Sequence, residues 1–433
     1  MTDLGPDFTF GVATSAYQIE GGRHQDGKGE SIWDHFADLG RMPESGDVAC
    51  DHYNRWEEDV SLMAELGVDA YRFSIAWTRV LPDGTGEVNQ AGLDFYDRLV
   101  DGLLAAGITP YPTLYHWDLP QALEVDGGWT NRATVDAFAE YAAVVGARLS
   151  DRVDNWITHN EPWVATYLGH LEGVFAPGRT SWAEALAAGH HILLSHGRAV
   201  PALRAAGARN VGIALDCRDA YPASDREEDI AAARHFDGFR NRWFYDPVFG
   251  KGYPDDMLGA FRDRGRFTGT ALPAVRSGDL DEIAVRMDFL GLNYYTSLPI
   301  SAARGDETEE TGVPAGPDPV PGYTEMGWPI APEALTHFLE RLLRDYDPES
   351  ILITENGASY SEGPGPDGRV RDEHRIDYLN DHVGAVAAAQ EAGVPVDGYF
   401  VWSLLDNLEW VEGYRQRFGL IHVDHATGIR TPK

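Results

Sequence analysis

At 433 residues, 43% of them hydrophobic, the chain can bury a sizeable core and has room for one large domain or two to three ordinary ones. The formal net charge of −34 argues against nucleic acid or an anionic membrane as partner, since its field repels phosphate, and disfavours anionic substrates short of a local basic pocket. Two cysteines, Cys50 and Cys217, are too few for a disulfide framework and wrongly spaced for zinc.

The opening residues Met1-Thr2-Asp3-Leu4-Gly5 show no basic region followed by an apolar stretch, and no apolar run is long enough to span a bilayer. A soluble cytoplasmic protein is expected. Lys28, Lys251 and Lys433 are the only lysines, which fits either a bias of the genome or, with the acid excess, adaptation to salt.

In chain order, Phe8 to Ala13 predicts a first strand, and Arg55 to Leu66 an amphipathic helix stopped by Gly67. Val68 to Trp77, Ile108 to Tyr115 and Asn155 to Asn160 predict strands two to four, separated by helices over Gln90 to Ala106 and Ala133 to Leu149. A long helix over Trp182 to Ala206 precedes strand five, Asn210 to Cys217, and a helical stretch lies within Glu227 to Trp243. Met287 to Tyr294, Ser350 to Glu355 and Gly398 to Ser403 complete the strands, with helices over Pro332 to Tyr346 and Arg375 to Ala392 between them. Eight strands alternating with helices predict an α/β fold, a parallel sheet closed into a single (β/α)8 TIM barrel over residues 1–433. Residues 301–331, rich in Gly and Pro and without periodicity, predict an insertion on the rim and not a linker. The pattern lacks an eighth helix: either it is absent from this sequence, or the excursion between Leu404 and Thr427 replaces it.

The stretch Ile351-Leu352-Ile353-Thr354-Glu355-Asn356-Gly357 organises the rest. A branched apolar run suited to a doubly buried strand stops on a carboxylate, an amide and a glycine, which delivers Glu355 to the carboxyl-terminal rim where such folds keep their chemistry. Trp156 to Pro162 does the same with Asn160 and Glu161. Other strand ends carry Gln18, Arg72, His116, Trp117, Asn293, Tyr295, Trp402, Glu409 and Trp410. Amides and carboxylates bind sugar hydroxyls, and indole faces stack on the apolar face of a pyranose. Singly, each has a plainer reading. Glu355 could be a solvated edge residue before an Asn-Gly turn, Trp117 and Trp402 core, His116 a satisfied histidine and Arg72 a structural partner. Their joint occurrence along the strand ends favours a sugar site.

Through these residues the sequence resembles glycoside hydrolase family 1, the β-glucosidase-type retaining glycosidases. The resemblance runs from Phe8 to Pro432 in ordered motifs: Phe10 to Gly21, Tyr71 to Trp77, Tyr115 to Pro120, Asn160 to Trp163, Gly291 to Tyr295, Ile353 to Gly357, Asp406 to Trp410 and Arg417 to Leu420. It implies that Glu161 is the acid/base and Glu355 the nucleophile. It further implies that Gln18, His116, Asn160, Glu409 and Trp410, with Trp117 beside them, hold the non-reducing sugar. Asn293, Tyr295 and Arg72 match positions beside the nucleophile, Trp402 a stacking floor and Trp328 a wall of the leaving-group site. One departure is Phe175, where many relatives carry His; an effect on structure or entrance is expected, not loss of chemistry.

Retention by two carboxyls requires them about 5–5.5 Å apart. Arg72 and the Tyr295 hydroxyl are expected to keep Glu355 ionised, and the Glu355 charge to hold Glu161 protonated until glycosylation removes it. The resemblance thus implies a retaining exo-β-glycosidase acting on terminal β-D-glucosyl residues, with tolerance for galactosyl or fucosyl ones. Its substrates would be β-glucosides and cello-oligosaccharides, it would need no metal or organic cofactor, and a homo-oligomer is compatible with it. Two alternatives stand beside this reading. A 6-phospho-β-glycosidase is disfavoured because Glu409 would repel phosphate and no lysine lies between Lys251 and Lys433. A non-catalytic sugar-binding protein on the same barrel is disfavoured because both carboxylates are kept.

Overall fold

A computed structural model describes residues 4–302 and 322–433. Eight parallel strands close into a barrel in sequence order: β1 Thr9–Ala13, β2 Ala70–Ser74, β3 Thr109–Tyr115, β4 Asn155–Asn160, β5 Asn210–Pro222, β6 Phe289–Ile300, β7 Ile351–Asn356 and β8 Val396–Trp402, with β8 pairing back on β1. The expected (β/α)8 barrel is therefore the fold. The helices between strands present one apolar face each, and Met63, Leu103, Val145, Leu203 and Leu342 belong to the continuous core between helices and sheet. Strand residues of the opposite phase form a second cluster inside the barrel, including Ala70, Tyr111, Ile157, Ala214, Phe289, Leu352 and Phe400. Gly11 is required there, since a Cβ would overlap the Phe400 ring.

Three of the register shifts fall close to the carboxyl-terminal rim. They lie between Ile157 and Asn160 against β5, between Leu292 and Asn293 against β7, and between Ile353 and Asn356 against β8. A bulge re-aims the side chains that follow it. The residues re-aimed here are Asn160, Asn293 and Glu355.

Several expected boundaries move for local reasons. The second strand ends at Ser74, and Trp77–Val80 is a short helix, so Trp77 leaves the sheet and stacks on Tyr141 with ring centroids 5.0 Å apart. The first long helix begins at His52, not Arg55, whose φ of −125° interrupts it. β5 and β6 run past the barrel as a paired arm, Asp219 facing Ser297 and Pro222 facing Ile300. The described part of the expected rim insertion packs on the rim: Thr296 Oγ1 donates to the Pro329 carbonyl at 2.7 Å and the Tyr294 hydroxyl to that of Ala331 at 2.5 Å. Residues 303–321 of that insertion lie outside the described residues. After β8 the excursion holds a short turn, Trp410–Glu412, and then an antiparallel hairpin of β9, Ile421–Asp424, and β10, Ile429–Pro432.

Candidate active site

Glu355 is the fifth residue of β7 and is buried. Its Oε1 accepts from Arg72 Nη1 at 2.5 Å and its Oε2 from the Tyr295 hydroxyl at 2.7 Å. Arg72 is itself fully engaged: Nη1 also donates to the Thr354 carbonyl at 3.0 Å, Nε to Thr113 Oγ1 at 3.2 Å, and Nη2 to Asn160 Oδ1 at 2.6 Å. Gly357 lets the chain leave the strand, because a Cβ there would overlap the Trp402 carbonyl oxygen. Burial raises the Glu355 carboxyl above its ordinary range, opposed by the Arg72 charge and by donation from Tyr295, Arg72 and Asn293. The sequence-based expectation named only the ion-favouring partners; in the fold, desolvation exceeds them.

Glu161 follows the last residue of β4 at a φ of +44°, with its amide donating to the Ala214 carbonyl at 2.9 Å. Its Oε1 accepts from Asn293 Nδ2 at 2.8 Å. The same amide nitrogen donates to Asn160 Oδ1 at 2.9 Å, while Asn293 Oδ1 accepts from Thr354 Oγ1 at 2.7 Å. Thus one amide between the two carboxyl-bearing strands is fixed in orientation by both. Burial raises Glu161 well above the carboxylate range, and the charges of Asp216 and Glu355 add to it, against Asn293 and Arg240.

These groups open onto a cavity of roughly 280 Å³, close to the size of small-molecule sites. One end is aromatic: Trp410 lies 4.7 Å from Trp117 and 4.4 Å from Trp33 between ring centroids, with Phe175 against Trp33 and Trp117 at 5.4 and 5.8 Å. His116 stacks on Trp402 at 5.7 Å, and its Nε2 meets Asn160 Nδ2 at 3.1 Å. Burial and the Arg72 charge hold that imidazole well below its ordinary value, so it is neutral, and its buried Nδ1 has no protein partner. Glu409 closes this end; burial and the charges of Glu355 and Glu412 push its carboxyl up to about 8, and its Oε2 has no protein partner. Trp117, Glu161 and Trp410 all adopt positive φ, at 76°, 44° and 45°. For bulky residues this costs about 1–3 kcal/mol each and persists where packing over-determines it. Among the described residues no group of three or more His, Cys, Asp or Glu side chains is arranged to hold a metal ion, and no helix is long and apolar enough to cross a membrane.

Residues 2–433 match the model of the family described as glycosyl hydrolase family 1. The chain belongs to this family. It is 49% identical to a beta-glucosidase of Agrobacterium sp. over 433 residues, covering 99% of this chain and 92% of that one. It is 46% identical to beta-glucosidase A of Thermotoga maritima, covering 98% and 94%. The family 1 β-glucosidase of T. maritima superposes with a TM-score of 0.93 at 45% identity, over 100% of this chain and 96% of that one. The T. maritima enzyme in complex with glucoimidazole gives the same score at 46% identity, over 100% and 97%.

Of the residues expected at the site of this family 1 hydrolase, Glu161, Glu355, Asn293, Tyr295, His116, Trp117, Trp328, Trp402, Glu409 and Trp410 line the cavity. Arg72 and Asn160 are buried behind the wall, bonded to its members. Gln18 is held within the protein: its Oε1 accepts from Ser15 Oγ at 2.5 Å, and its Nε2 donates to the Leu408 carbonyl at 2.8 Å and to Asn407 Oδ1 at 3.1 Å. It therefore braces the segment that presents Glu409 and Trp410. Sequence reasoning missed Asp216, Arg218, Arg240, Trp163, Met326 and Phe418 on the same wall. The Asp216 carboxylate at the end of a buried strand was the available signal, of the same kind as Glu355.

Proposed function

We propose that this family 1 hydrolase is a retaining exo-β-glucosidase that removes terminal non-reducing β-D-glucosyl residues, with β-D-galactosides and β-D-fucosides as secondary substrates, and that residues 1–433 act as one catalytic domain. The observation that carries the reading is the pair of buried carboxyls with opposite surroundings, one cradled by Arg72 and Tyr295, the other beside Asp216, with the Asn293 amide between them.

In this reading Glu355 attacks the anomeric carbon while Glu161 gives its proton to the leaving oxygen as the glycosidic bond breaks. The resulting ester has no charge on Glu355, so Glu161 loses one of the charges that raised it and serves as base. It takes a proton from water, whose oxygen attacks the anomeric carbon and releases Glu355; two inversions give retention. The Asn160 amide, locked by Arg72 and Asn293, is available to the 2-hydroxyl, and Trp402 is the floor under the ring. The unpartnered His116 Nδ1 and Glu409 Oε2 supply a donor and an acceptor at the sugar end. Trp328 bounds the leaving-group side.

Unphosphorylated sugars are favoured because none of the three lysines lines the cavity. Lys28 holds Asp34 at 2.9 Å, Lys433 holds Asp406 at 2.8 Å, and Lys251 bonds the Asp345 carbonyl at 2.5 Å. A cytoplasmic role in cello-oligosaccharide breakdown belongs to the same proposal; buried free Cys50 and Cys217 support a reducing compartment. The test is a panel of p-nitrophenyl glycosides, free and 6-phosphorylated, with the first-formed anomer followed by NMR. Cleavage of the free β-glucoside to β-glucose is expected. Preference for the phosphorylated sugar would promote the 6-phospho-β-glycosidase reading, and binding without turnover the non-catalytic one.

A further inference from the structure

The wall beside Glu161 holds an ion pair that the steps above do not use. Asp216 on β5 and Arg240 on the helical turn Gly238–Arg242 meet at 2.5 Å, with side chains only 7% and 8% exposed. Strand register brings Asp216 to Glu161. Asn160 pairs with Ala214, the Glu161 amide donates to the Ala214 carbonyl, and Asp216 lies two residues further on the same face of β5. Arg240 grips the other side of the Glu161 turn: its guanidinium carbon lies 3.7 Å from the ring centre of Trp163, two residues after Glu161. Asn241 locks the two elements together, its Oδ1 accepting from the Arg218 amide at 3.1 Å and its Nδ2 donating to the Arg218 carbonyl at 3.0 Å. A buried ion pair adds little stability over apolar residues of the same volume, so its place against a reacting group needs another reason.

We infer that the Asp216–Arg240 pair is a positioning unit for Glu161, acting through space from the leaving-group side of the cavity to keep the proton on that carboxyl. The inference rests on the reading of Glu161 as acid and base. Glu161 also faces Glu355 on β7, with Arg72 of β2 behind it, and Asn293 and Tyr295 on β6. His116, from the end of β3, and Cys217, beside Asp216, share the wall; burial keeps both neutral. On its own side of the cavity the pair sets both a carboxylate and a guanidinium against Glu161, and Arg218, two residues after Asp216 on β5, also lines the wall. Of the pair, Asp216 acts the more strongly, raising Glu161 more than Glu355 does, while Arg240 opposes it.

The test is the pH profile of kcat/KM for p-nitrophenyl β-glucoside in Asp216→Asn and in the double variant Asp216→Asn/Arg240→Met. The alkaline limb, which follows loss of the Glu161 proton, is expected to move down by on the order of one pH unit in the single variant. It should move down by less in the double variant, because the opposing guanidinium is gone as well. The double variant also guards against misfolding, since it leaves no unpaired arginine, and thermal unfolding checks both proteins. A limb that stays in place or moves up in folded Asp216→Asn overturns the inference. Glu161→Ala separates this failure from a failure of the functional reading. If Glu161→Ala removes the alkaline limb while Asp216→Asn leaves it, only the positioning role is lost; if the limb survives in Glu161→Ala, the acid assignment falls.

Discussion

Glu355 and Glu161 sit at the ends of strands of the same barrel, both buried, both lifted by desolvation, yet what surrounds them differs in sign. Around Glu355 stand a guanidinium and a phenol that donate to the charged form. Around Glu161 stand an amide and the carboxylates of Asp216 and Glu355, and a nearby cation, Arg240, is already paired with Asp216. Burial alone makes two alike carboxylic acids; the partners make one of them the better anion and the other the better acid. The contrast recurs at the cavity ends, with a stacked aromatic box and Glu409 at one and the Asp216–Arg240 pair over Trp163 at the other.

Removing the anion should have the largest effect. Glu355→Gly is expected to lower turnover of p-nitrophenyl β-glucoside by several orders of magnitude, measured by initial rates; activity near that of the parent would mean Glu355 is not the nucleophile. Glu161→Ala should cost about 10²–10⁴-fold with poor leaving groups and far less with dinitrophenyl β-glucoside, which needs no proton. Equal losses on both would make Glu161 a structural or binding residue.

The comparison was only half legible in the sequence. Both glutamates could be named because a branched apolar run that stops on a carboxylate is a local pattern, and eight strands with helices between them imply the barrel. What surrounds them is set by long-range register. Arg240 lies 79 positions after Glu161 in the chain and packs on the Trp163 ring of its turn. The positive φ of Trp117, Glu161 and Trp410 is imposed by packing and has no glycine to announce it. Gln18 is expected as a sugar ligand from its amide type, and only the fold reveals that it also bonds Leu408, Asn407 and Ser15. The extension of β5 and β6 past the barrel was missed for a similar reason: each strand is read by its partner, not by its own composition.

Smaller changes sharpen the contrast. Glu409→Ser removes an acceptor from the sugar end; with that carboxyl pushed up to about 8 and uncharged at neutral pH, it should cost free β-glucosides about 0.5–1.5 kcal/mol in kcat/KM. It should also narrow the gap to 6-phosphoglucosides; an unchanged preference would make Glu409 a bystander. Tyr295→Phe takes away a donor that favours ionised Glu355, so the carboxyl rises and the acid limb of kcat/KM should move to higher pH by roughly half a unit. The alkaline limb should stay where it was. Movement of both limbs together would mean that the two carboxyls do not hold separate roles.

Azide rescue measures the division of labour itself. With Glu355→Gly, azide enters the face that the nucleophile has left and should give the α-glucosyl azide. With Glu161→Ala, azide attacks the glycosyl-enzyme from the opposite face and should give the β-glucosyl azide. Opposite configurations from the two variants, read by NMR, are the predicted result; the same configuration from both, or the two reversed, would contradict the assignment of Glu355 as nucleophile and Glu161 as acid and base.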